Sequence, residues 1–298
     1  MTQQPLLAAA FVPSHDHAAF SPHGIAVPAS LQPYVDALLA VEVGPIAANP
    51  MFIAPHESMV LSVQLGRTSD ACIEAKGEHG QNTCVTGIRQ WTGSFVPAGR
   101  CVTLFALLTP LGSVHALDSQ PLSQVPRIRA RVADLLDRRT TIALESAVAL
   151  APSIEAKLHV LAAWLEARVM ARRQQSSAAL RAARAALHLV HEPGAAIDEL
   201  ARQAAVSRRQ LERHFAHWFG TSPRHLAQVA RLQQVSRCAQ QGAALADIAA
   251  HTGFADQAHM TRVVRQLTGL TPRLFVRSQR SPLADTFRAA TRGATVYL

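Results

Sequence analysis

The spacing of apolar residues divides the chain into two parts. Before about residue 120, apolar and polar positions alternate or form short apolar runs, as in LSVQL (61–65) and CVTLFALL (101–108). The first pattern is typical of a half-buried β-strand and the second of a buried one. After Pro126 the apolar residues recur at helical spacing, so we expect only helices from residue 127 onward. The chain is therefore predicted to be α+β, with a β-rich N-terminal domain that ends in a helical tail, followed by an all-α domain.

Composition suggests where the domains begin and end. The first thirty residues are rich in Pro, Ala and His and lack periodicity, which predicts a flexible arm. ARRQQSSAA (171–179) is polar and has no apolar stripe, so it is predicted to be a linker or part of one continuous helix. The predicted organisation is an arm at 1–30, an effector or oligomerisation domain at 31–171, a linker at 172–189, a second domain at 190–280 and a C-terminal tail at 281–298.

Charge is distributed unevenly along the 298 residues. Residues 1–171 contain 11 Lys and Arg against 13 Asp and Glu, a net charge of −2. Residues 172–298 contain 18 Arg against 7 Asp and Glu, a net charge of +11. A strongly basic half suggests a nucleic acid or an anionic membrane surface as its partner. The alternative is a solvated, Arg-rich surface without a partner, and charge alone does not separate the two.

The first candidate motif is IDELARQAAVSRRQLERHF (197–215). A helix is predicted to end in a tight turn, after which Ser207 and Gln210 form a capping box that starts a second helix. The second helix has a buried apolar stripe at i, i+4 and i+7: Leu211, Phe215 and Trp218. Its exposed side carries mainly hydrogen-bond donors: Arg209 and Arg213 beside Ala216, with Arg208 and Gln210 at the edges. Such a face suits the DNA major groove, where Arg bonds guanine through two acceptors.

The same design recurs about 48 residues later in ALADIAAHTGFADQAHMTRVVRQL (244–267). Gly253 is predicted in the turn, where a positive φ penalises other residues, and Asp256 is predicted to cap the next helix as Ser207 does. The predicted core stripe is Met260, Val264 and Leu267, and the outward residues are Ala258, Arg262 and Arg265. A solvated surface would explain one such helix pair, but the second copy favours two helix-turn-helix units.

A long helix is predicted between the two copies, over 222–241 of TSPRHLAQVARLQQVSRCAQQG (221–242). Ser222 and Pro223 mark its start, and Gly242 marks its end. A helix of roughly 18 residues spans about 27 Å. It can hold two recognition helices near one DNA turn apart, about 34 Å. A single chain is therefore predicted to contact two successive major grooves of double-stranded DNA.

In this order, the elements resemble the AraC/XylS family of bacterial transcription regulators over about residues 190–280. The resemblance rests on LARQAAVSRRQLERHF, GTSPRHL, RLQQVSRCAQQG and DIAAHTGFADQAHMTRVVRQLTGLTPRLFVR. It implies base-reading positions at Arg209, Glu212 and Arg213 in the first copy and at Gln257, Ala258, His259 and Arg262 in the second. Phosphate contacts are expected at Ser207, Arg208, Gln210, Asp256 and Arg265.

Three residues depart from the family pattern. Ala205 stands in the first turn, where a residue that tolerates a positive φ is usual, at a cost of about 1 kcal/mol if the backbone is left-handed there. Val264 replaces a Phe of the second recognition helix, which predicts a looser core. Ala258 replaces a polar residue, so it is able to contact a thymine methyl group but not to donate a hydrogen bond.

The predicted function is a DNA-binding transcription regulator without enzymatic activity or cofactor. We expect an unidentified small-molecule effector or partner to act on the N-terminal domain, with RNA polymerase and a second copy of the chain as further partners. No segment resembles a signal peptide or a spanning helix, so we expect a cytoplasmic protein that does not use a membrane.

Two alternatives from other classes remain open. One is an enzyme joined to a DNA-binding domain, either a small-molecule enzyme or an adaptive-response DNA repair protein that transfers alkyl groups to Cys. The repair protein requires four clustered metal-binding Cys, whereas Cys72, Cys84 and Cys101 are few and widely spaced, so we expect no metal site. The other alternative is a structural nucleoid-binding protein, which predicts little preference between DNA sequences.

Overall fold

The structure is a computed structural model that describes residues 20–44, 51–66, 83–88, 93–95, 101–118, 129–171 and 175–279. Its N-terminal part is built on antiparallel β-structure, and its C-terminal part is helical. The predicted α+β class, with the β-rich part first and the all-α part second, is confirmed.

Antiparallel strands form the N-terminal part. In chain order they are β1 (Phe20–Ile25), β2 (Val35–Val43), β3 (Met51–Ile53), β4 (Met59–Leu65), β5 (Thr83–Thr86), β6 (Gly93–Phe95), β7 (Cys101–Leu108) and β8 (Arg129–Arg131). Six of them form one sheet in the order β1-β2-β7-β4-β5-β8, and β3 pairs with β6 separately. The predicted strands LSVQL and CVTLFALL lie in β4 and β7, which are neighbours, with Leu61 opposite Ala106.

The two edge strands of the large sheet differ from the sequence prediction. The segment 1–30 was predicted to be an arm, but Phe20–Ile25 pairs continuously with β2, from Phe20 opposite Val43 to Ile25 opposite Leu38. Residues from 127 onward were expected to be only helical, but Arg129–Arg131 pairs with β5. Backbone pairing at an open sheet edge forms these strands, and an edge tolerates Pro22, which lacks an amide donor. Neither segment therefore needs the alternation of apolar and polar residues that is typical of a half-buried strand.

Helices follow β7 and cover the sheet. They are α1 (Pro110–Ala116), α2 (Val132–Leu135), α3 (Arg138–Leu150) and α4 (Ile154–Met170). Asp137 caps α3 by accepting from the Thr140 amide at 2.7 Å, and Ser153 caps α4 by accepting from the Ala156 amide at 3.1 Å. The helix α4 packs on β1, β2 and α3, so the helical tail buries one face of the sheet.

The helix α1 lies very close to the turn that precedes β2. Thr109 holds the start of α1 there, because its amide donates to the Tyr34 carbonyl oxygen at 3.0 Å and its hydroxyl to the Pro33 carbonyl oxygen at 2.9 Å. A Cβ atom at Gly112 would lie 1.8 Å from that Tyr34 oxygen, so the approach requires glycine. Just after its other end, a partly buried ion pair between Asp118 and Arg168 ties this region to α4.

The C-terminal part contains α5 (Ser177–His191), α6 (Ile197–Gln203), α7 (Arg208–Phe219), α8 (Pro223–Gln240), α9 (Leu245–His251), α10 (Gln257–Thr268) and α11 (Pro272–Ser278). Most of the segment predicted as a linker, 172–189, belongs to α5, which packs on α1, α7 and α8. The buried face of α5 is made almost entirely of alanine: Ala179, Ala182, Ala183, Ala185, Ala186 and Leu189. Alanine gives a weak apolar signal in a sequence, yet its small side chain lets neighbouring helices approach closely.

The described residues supply further findings on metals, thiols and membranes. Within them, no group of three or more His, Cys, Asp and Glu side chains is arranged to hold a metal ion. Cys84 and Cys101 are buried and Cys238 is partly buried, and Cys72 lies outside the described residues. Among the helices that the structure describes, none combines the length and apolar character needed to cross a bilayer.

Candidate nucleic-acid interface

The first helix-turn-helix unit is formed by α6 and α7. Ser207 starts α7, because its hydroxyl oxygen accepts from the Gln210 amide at 3.2 Å, as predicted. Leu211 and Phe215 are fully buried beneath it. The third member of the buried stripe is Phe219 rather than the predicted Trp218, and its ring packs edge-to-face on Phe215 at a centroid distance of 5.6 Å. The stripe therefore runs at i, i+4 and i+8, and Trp218 is half-buried at its rim.

The turns of the two units share a left-handed backbone residue. Ala205 has a φ of 51° in the first turn, and Gly253 has a φ of 69° in the second. The predicted strain at Ala205 is thus present in the backbone, whereas glycine avoids it at the equivalent place. The nearest neighbouring atom to a Cβ at Gly253 would be Arg231 Nε at 3.8 Å, so only backbone strain opposes a side chain there.

This asymmetry gives a reciprocal prediction. Ala205→Gly is expected to raise the free energy of unfolding by about 1 kcal/mol, because it removes the left-handed strain. Gly253→Ala is expected to lower it by about the same amount for the same reason. Urea unfolding followed by circular dichroism measures both changes. Destabilisation by Ala205→Gly would mean that the entropy of the unfolded chain outweighs the strain.

The outward face of α7 carries unpaired positive charge. Arg209 and Arg213 are exposed, and neither guanidinium forms an ion pair or hydrogen bond with another residue that the structure describes. His214 lies at the edge of this face, where burial and then the charges of Arg181, Arg213 and His217 lower its pKa. A lowered pKa leaves the His214 imidazole neutral near pH 7, so the charge of the face belongs to its arginines.

Arg208 and Glu212 are engaged with each other rather than free. The Arg208 Nε donates to Glu212 Oε1 at 3.1 Å, and its Nη1 donates to Asp198 Oδ2 at 3.2 Å. The hydrogen bond that Arg208 donates to Glu212 is the main reason that the pKa of Arg208 is raised. Both residues were predicted to contact DNA, Arg208 at phosphate and Glu212 at a base. In the free protein, the Arg208 guanidinium already donates to the carboxylates of Glu212 and Asp198, and the Glu212 carboxylate already accepts from Arg208.

The second unit, α9 and α10, repeats the geometry of the first. Asp256 caps α10 by accepting from the His259 amide at 2.5 Å, as the repeat predicts. The predicted core stripe is buried in full: Met260, Val264 and Leu267. Val264 is completely buried even though the family pattern has a larger residue at this position. The packing of α10 therefore uses the shorter side chain without leaving it exposed.

The predicted contact residues of α10 divide into two groups. Gln257, Ala258, Arg262 and Arg265 are exposed on its outer side. His259 is half-buried. Its Nδ1 accepts from the Ala255 amide at 3.4 Å, and its ring packs edge-to-face on Phe254 at a centroid distance of 5.4 Å. The exposed group forms one surface, while His259 stabilises the turn that precedes the helix.

The helix α8 joins the two units. It has 18 residues, which corresponds to a length of about 27 Å. Ser222 caps it by accepting from the His225 amide at 3.1 Å, and Pro223 occupies its first position, close to the predicted bounds. It packs on α7 of the first unit and on α9, α10 and α11 of the second. One rigid helix therefore supports both outward faces.

Sequence reasoning missed several residues around this surface. His217, on the outer side of α7, contacts the Trp218 ring at a centroid distance of 4.4 Å. Arg181 of α5 lies close enough to His214 to affect its pKa. At helical spacing His217 lies one turn after Arg213, so its place on the outer side of α7 could have been predicted from the sequence. The electrostatic effect of Arg181 on His214 acts between different helices and has no local signal.

Comparison with known proteins identifies the C-terminal part. Residues 200–278 match the family model of the helix-turn-helix domain. No curated protein sequence matches the chain. The match spans α7, α8, α9, α10 and α11, which are the elements that carry both outward faces.

Among solved structures, the chain is similar to ToxT from Vibrio cholerae. An apo ToxT variant shares 9% identity at a TM-score of 0.45, with 81% of this chain and 97% of that chain covered. Another ToxT structure shares 10% identity at a TM-score of 0.42, covering 89% and 99%. A third, with an unsaturated fatty acid bound, shares 8% identity at a TM-score of 0.38, covering 87% and 93%. The C-terminal part of the chain, over residues 200–278, is therefore an AraC-type DNA-binding helix-turn-helix domain.

Proposed function

We propose that the outward faces of α7 and α10 read bases in two successive major grooves. The observation that carries this proposal is the exposure of Arg209, Arg213 and Arg262 without a carboxylate partner among the described residues. A free guanidinium donates two parallel hydrogen bonds to guanine O6 and N7. Gln257 and Ala258 supply the remaining contacts of the second face, the former as a donor and the latter to a thymine methyl group.

The other predicted contact residues take positioning functions in this proposal. Ser207 and Asp256 keep their side chains in the helix caps, so the amides at the starts of α7 and α10 face the phosphates. Arg265 and the flanking Gln210 contact phosphate directly. Arg208 and Glu212 reach DNA only when their ion pair opens, and His259 acts through the turn that it stabilises.

The N-terminal domain is proposed to control this activity. An effector or partner acts on the sheet and its helices, a second copy of the chain forms a homodimer with it, and RNA polymerase contacts the bound regulator. The proposed boundaries remain those of the sequence, with the arm reduced by β1 and the linker by α5. ToxT with a bound fatty acid is a precedent for a small-molecule ligand. No substrate is converted in this scheme, so the protein acts as a regulator and not as an enzyme.

The test is binding of the full chain to a randomised DNA library over a range of salt concentrations. We expect a strongly preferred sequence, and a log–log salt slope of about −0.9 for each phosphate neutralised. A flat salt response would contradict the electrostatic contacts. Equal binding to all sequences would favour a nucleoid-binding protein. Stoichiometric Cys alkylation on incubation with methylated DNA would instead revive the repair alternative.

A further inference from the structure

A short segment of the N-terminal domain contacts the middle of the DNA-binding domain. Residues 55–58, which we call the clasp segment, precede β4 and lie against α8. The Pro55 carbonyl oxygen accepts from Gln233 Nε2 at 2.5 Å, and Glu57 Oε1 accepts from Arg237 Nη1 at 3.2 Å. The Glu57 side chain is only 8% exposed, compared with 41% for Arg237. The contact therefore buries a carboxylate of one domain against a cation of the other.

The clasp segment is anchored to two strands of the sheet. It continues directly into β4, which lies between β7 and β5. Ser58 also donates from its hydroxyl to Asp36 Oδ2 of β2 at 2.5 Å, and its amide donates to His56 Nδ1 at 2.9 Å. A change in the spacing of these strands would therefore move the backbone that carries Pro55 and Glu57.

The second helix-turn-helix unit depends on α8 for its position. The main neighbours of α9, α10 and α11 are one another and α8. Arg231 of α8 lies beside the turn of this unit, at Gly253. Gln233 and Arg237 are rotated about 200° and 240° from Arg231, so the clasp segment holds the opposite side of the helix. The α8 helix is thus placed between the clasp segment and the second unit.

The first unit is attached to the N-terminal domain by a different route. Its recognition helix, α7, packs on α5, and α5 packs on α1 through an alanine-rich face. This route is apolar and well buried. The two units therefore share α5, which also packs on α8, and the clasp segment adds a second connection that reaches only α8.

The clasp contact is incompletely hydrogen-bonded. Glu57 Oε2 and Gln233 Oε1 are both buried, and neither has a hydrogen-bond partner among the described residues. A buried polar atom without a partner costs free energy, which offsets part of the gain from the ion pair. The contact is accordingly less stable than it would be if both atoms were hydrogen-bonded.

We propose that the clasp segment is the route by which the N-terminal domain controls the second helix-turn-helix unit. When it is closed, it holds α8 and fixes the position of α9 and α10. When it is released, α8 keeps its packing on α5 but loses its link to the segment before β4, so the second unit is held less firmly, while the first, held through α5, keeps its position. The inference rests on the proposed function for its effect on DNA, but its effect on the second unit is measurable without DNA.

The experiment compares Glu57→Gln, Arg237→Gln and the double variant in the full chain. Without DNA, backbone amides of α9 and α10 should exchange hydrogen roughly tenfold faster in all three variants, because a charge-assisted hydrogen bond is lost. Amides of α7 should exchange as in the unaltered protein. In the DNA library, preference should relax at the positions sensitive to Arg262→Ala and persist at those sensitive to Arg213→Ala.

Charge provides an internal control, because Glu57→Gln raises the net charge by one and Arg237→Gln lowers it by one. A purely electrostatic effect would shift the DNA affinities of these two variants in opposite directions. Loss of the clasp contact would shift both affinities in the same direction. Arg139→Gln, on the exposed surface of α3, matches the charge change of Arg237→Gln and should leave exchange unchanged.

Unchanged exchange in α9 and α10, or equal acceleration in α7, would overturn the inference. Opposite affinity shifts for Glu57→Gln and Arg237→Gln would also overturn it. If the unaltered chain selects no DNA sequence, the proposed base reading fails, and the exchange measurement still decides for or against the clasp.

Discussion

Arg213→Ala and Arg262→Ala are each expected to abolish base preference at one position of the binding site, and at different positions. Both arginines are exposed on the outer sides of recognition helices, at equivalent places in the repeat. Loss of a bidentate contact to guanine costs about 1–3 kcal/mol against the preferred base. Selection from a randomised library measures this directly, since each variant should keep the preference contributed by the other unit.

Two controls separate base reading from general attraction to DNA. Arg265→Ala, at a proposed phosphate contact, should weaken all sequences similarly and reduce the salt slope by about one. Arg139→Ala removes a positive charge from the N-terminal domain and should leave the preferred sequence and the slope unchanged. If Arg213→Ala and Arg262→Ala behave like Arg265→Ala, the two arginines bind phosphate, and the assignment of α7 and α10 as base-reading helices is wrong.

Gly112→Ala is expected to lower the free energy of unfolding by about 3 kcal/mol, through a steric conflict with backbone atoms. The new Cβ would lie 1.8 Å from the Tyr34 carbonyl oxygen and 2.7 Å from its carbonyl carbon, so α1 or the turn must move. Helix propensity predicts the opposite sign, because alanine is favoured over glycine inside a helix by about 1 kcal/mol. The sign of the change therefore decides which effect dominates.

Gly194→Ala is the matched control for this substitution. It has no neighbouring atom within 4 Å of the new Cβ, and it should change stability by no more than about 0.5 kcal/mol. Urea unfolding of the two variants and the unaltered chain makes the comparison. A stabilised Gly112→Ala variant would mean that α1 lies farther from the Tyr34 carbonyl oxygen than the 1.8 Å approach of the Cβ requires.

Most of the C-terminal domain could be predicted because its signals are local. Ser207 and Asp256 cap their helices through atoms three residues away, and the buried stripes follow the helical period. The repeat of the pattern is what favours a recognition surface over an ordinary solvated one. The wrong prediction that Trp218 belongs to the buried stripe has the same origin. Positions i+7 and i+8 both lie near the stripe, and only the packing determines which of them is buried.

The features that escaped prediction are formed between distant parts of the chain. The edge strands at 20–25 and 129–131 exist because a sheet edge offers them partners, and their own sequences give no period. The Arg237–Glu57 contact joins residues 180 apart, and neither side chain indicates the other. The contacts of His259 with Phe254 and Ala255 are local, but the helical period does not indicate them.

The continuous helix α8 also limits how this chain could change its length. Each residue inserted into α8 would turn the second unit by about 100° around the helix axis and move it about 1.5 Å along it. After a single insertion or deletion in α8, the two recognition helices would therefore no longer face the same side of the protein, and only one of them could enter its groove. An insertion of seven residues nearly restores the angle but adds about 10 Å. Change in this segment is thus confined to substitutions, while insertions are expected to accumulate in loops outside it.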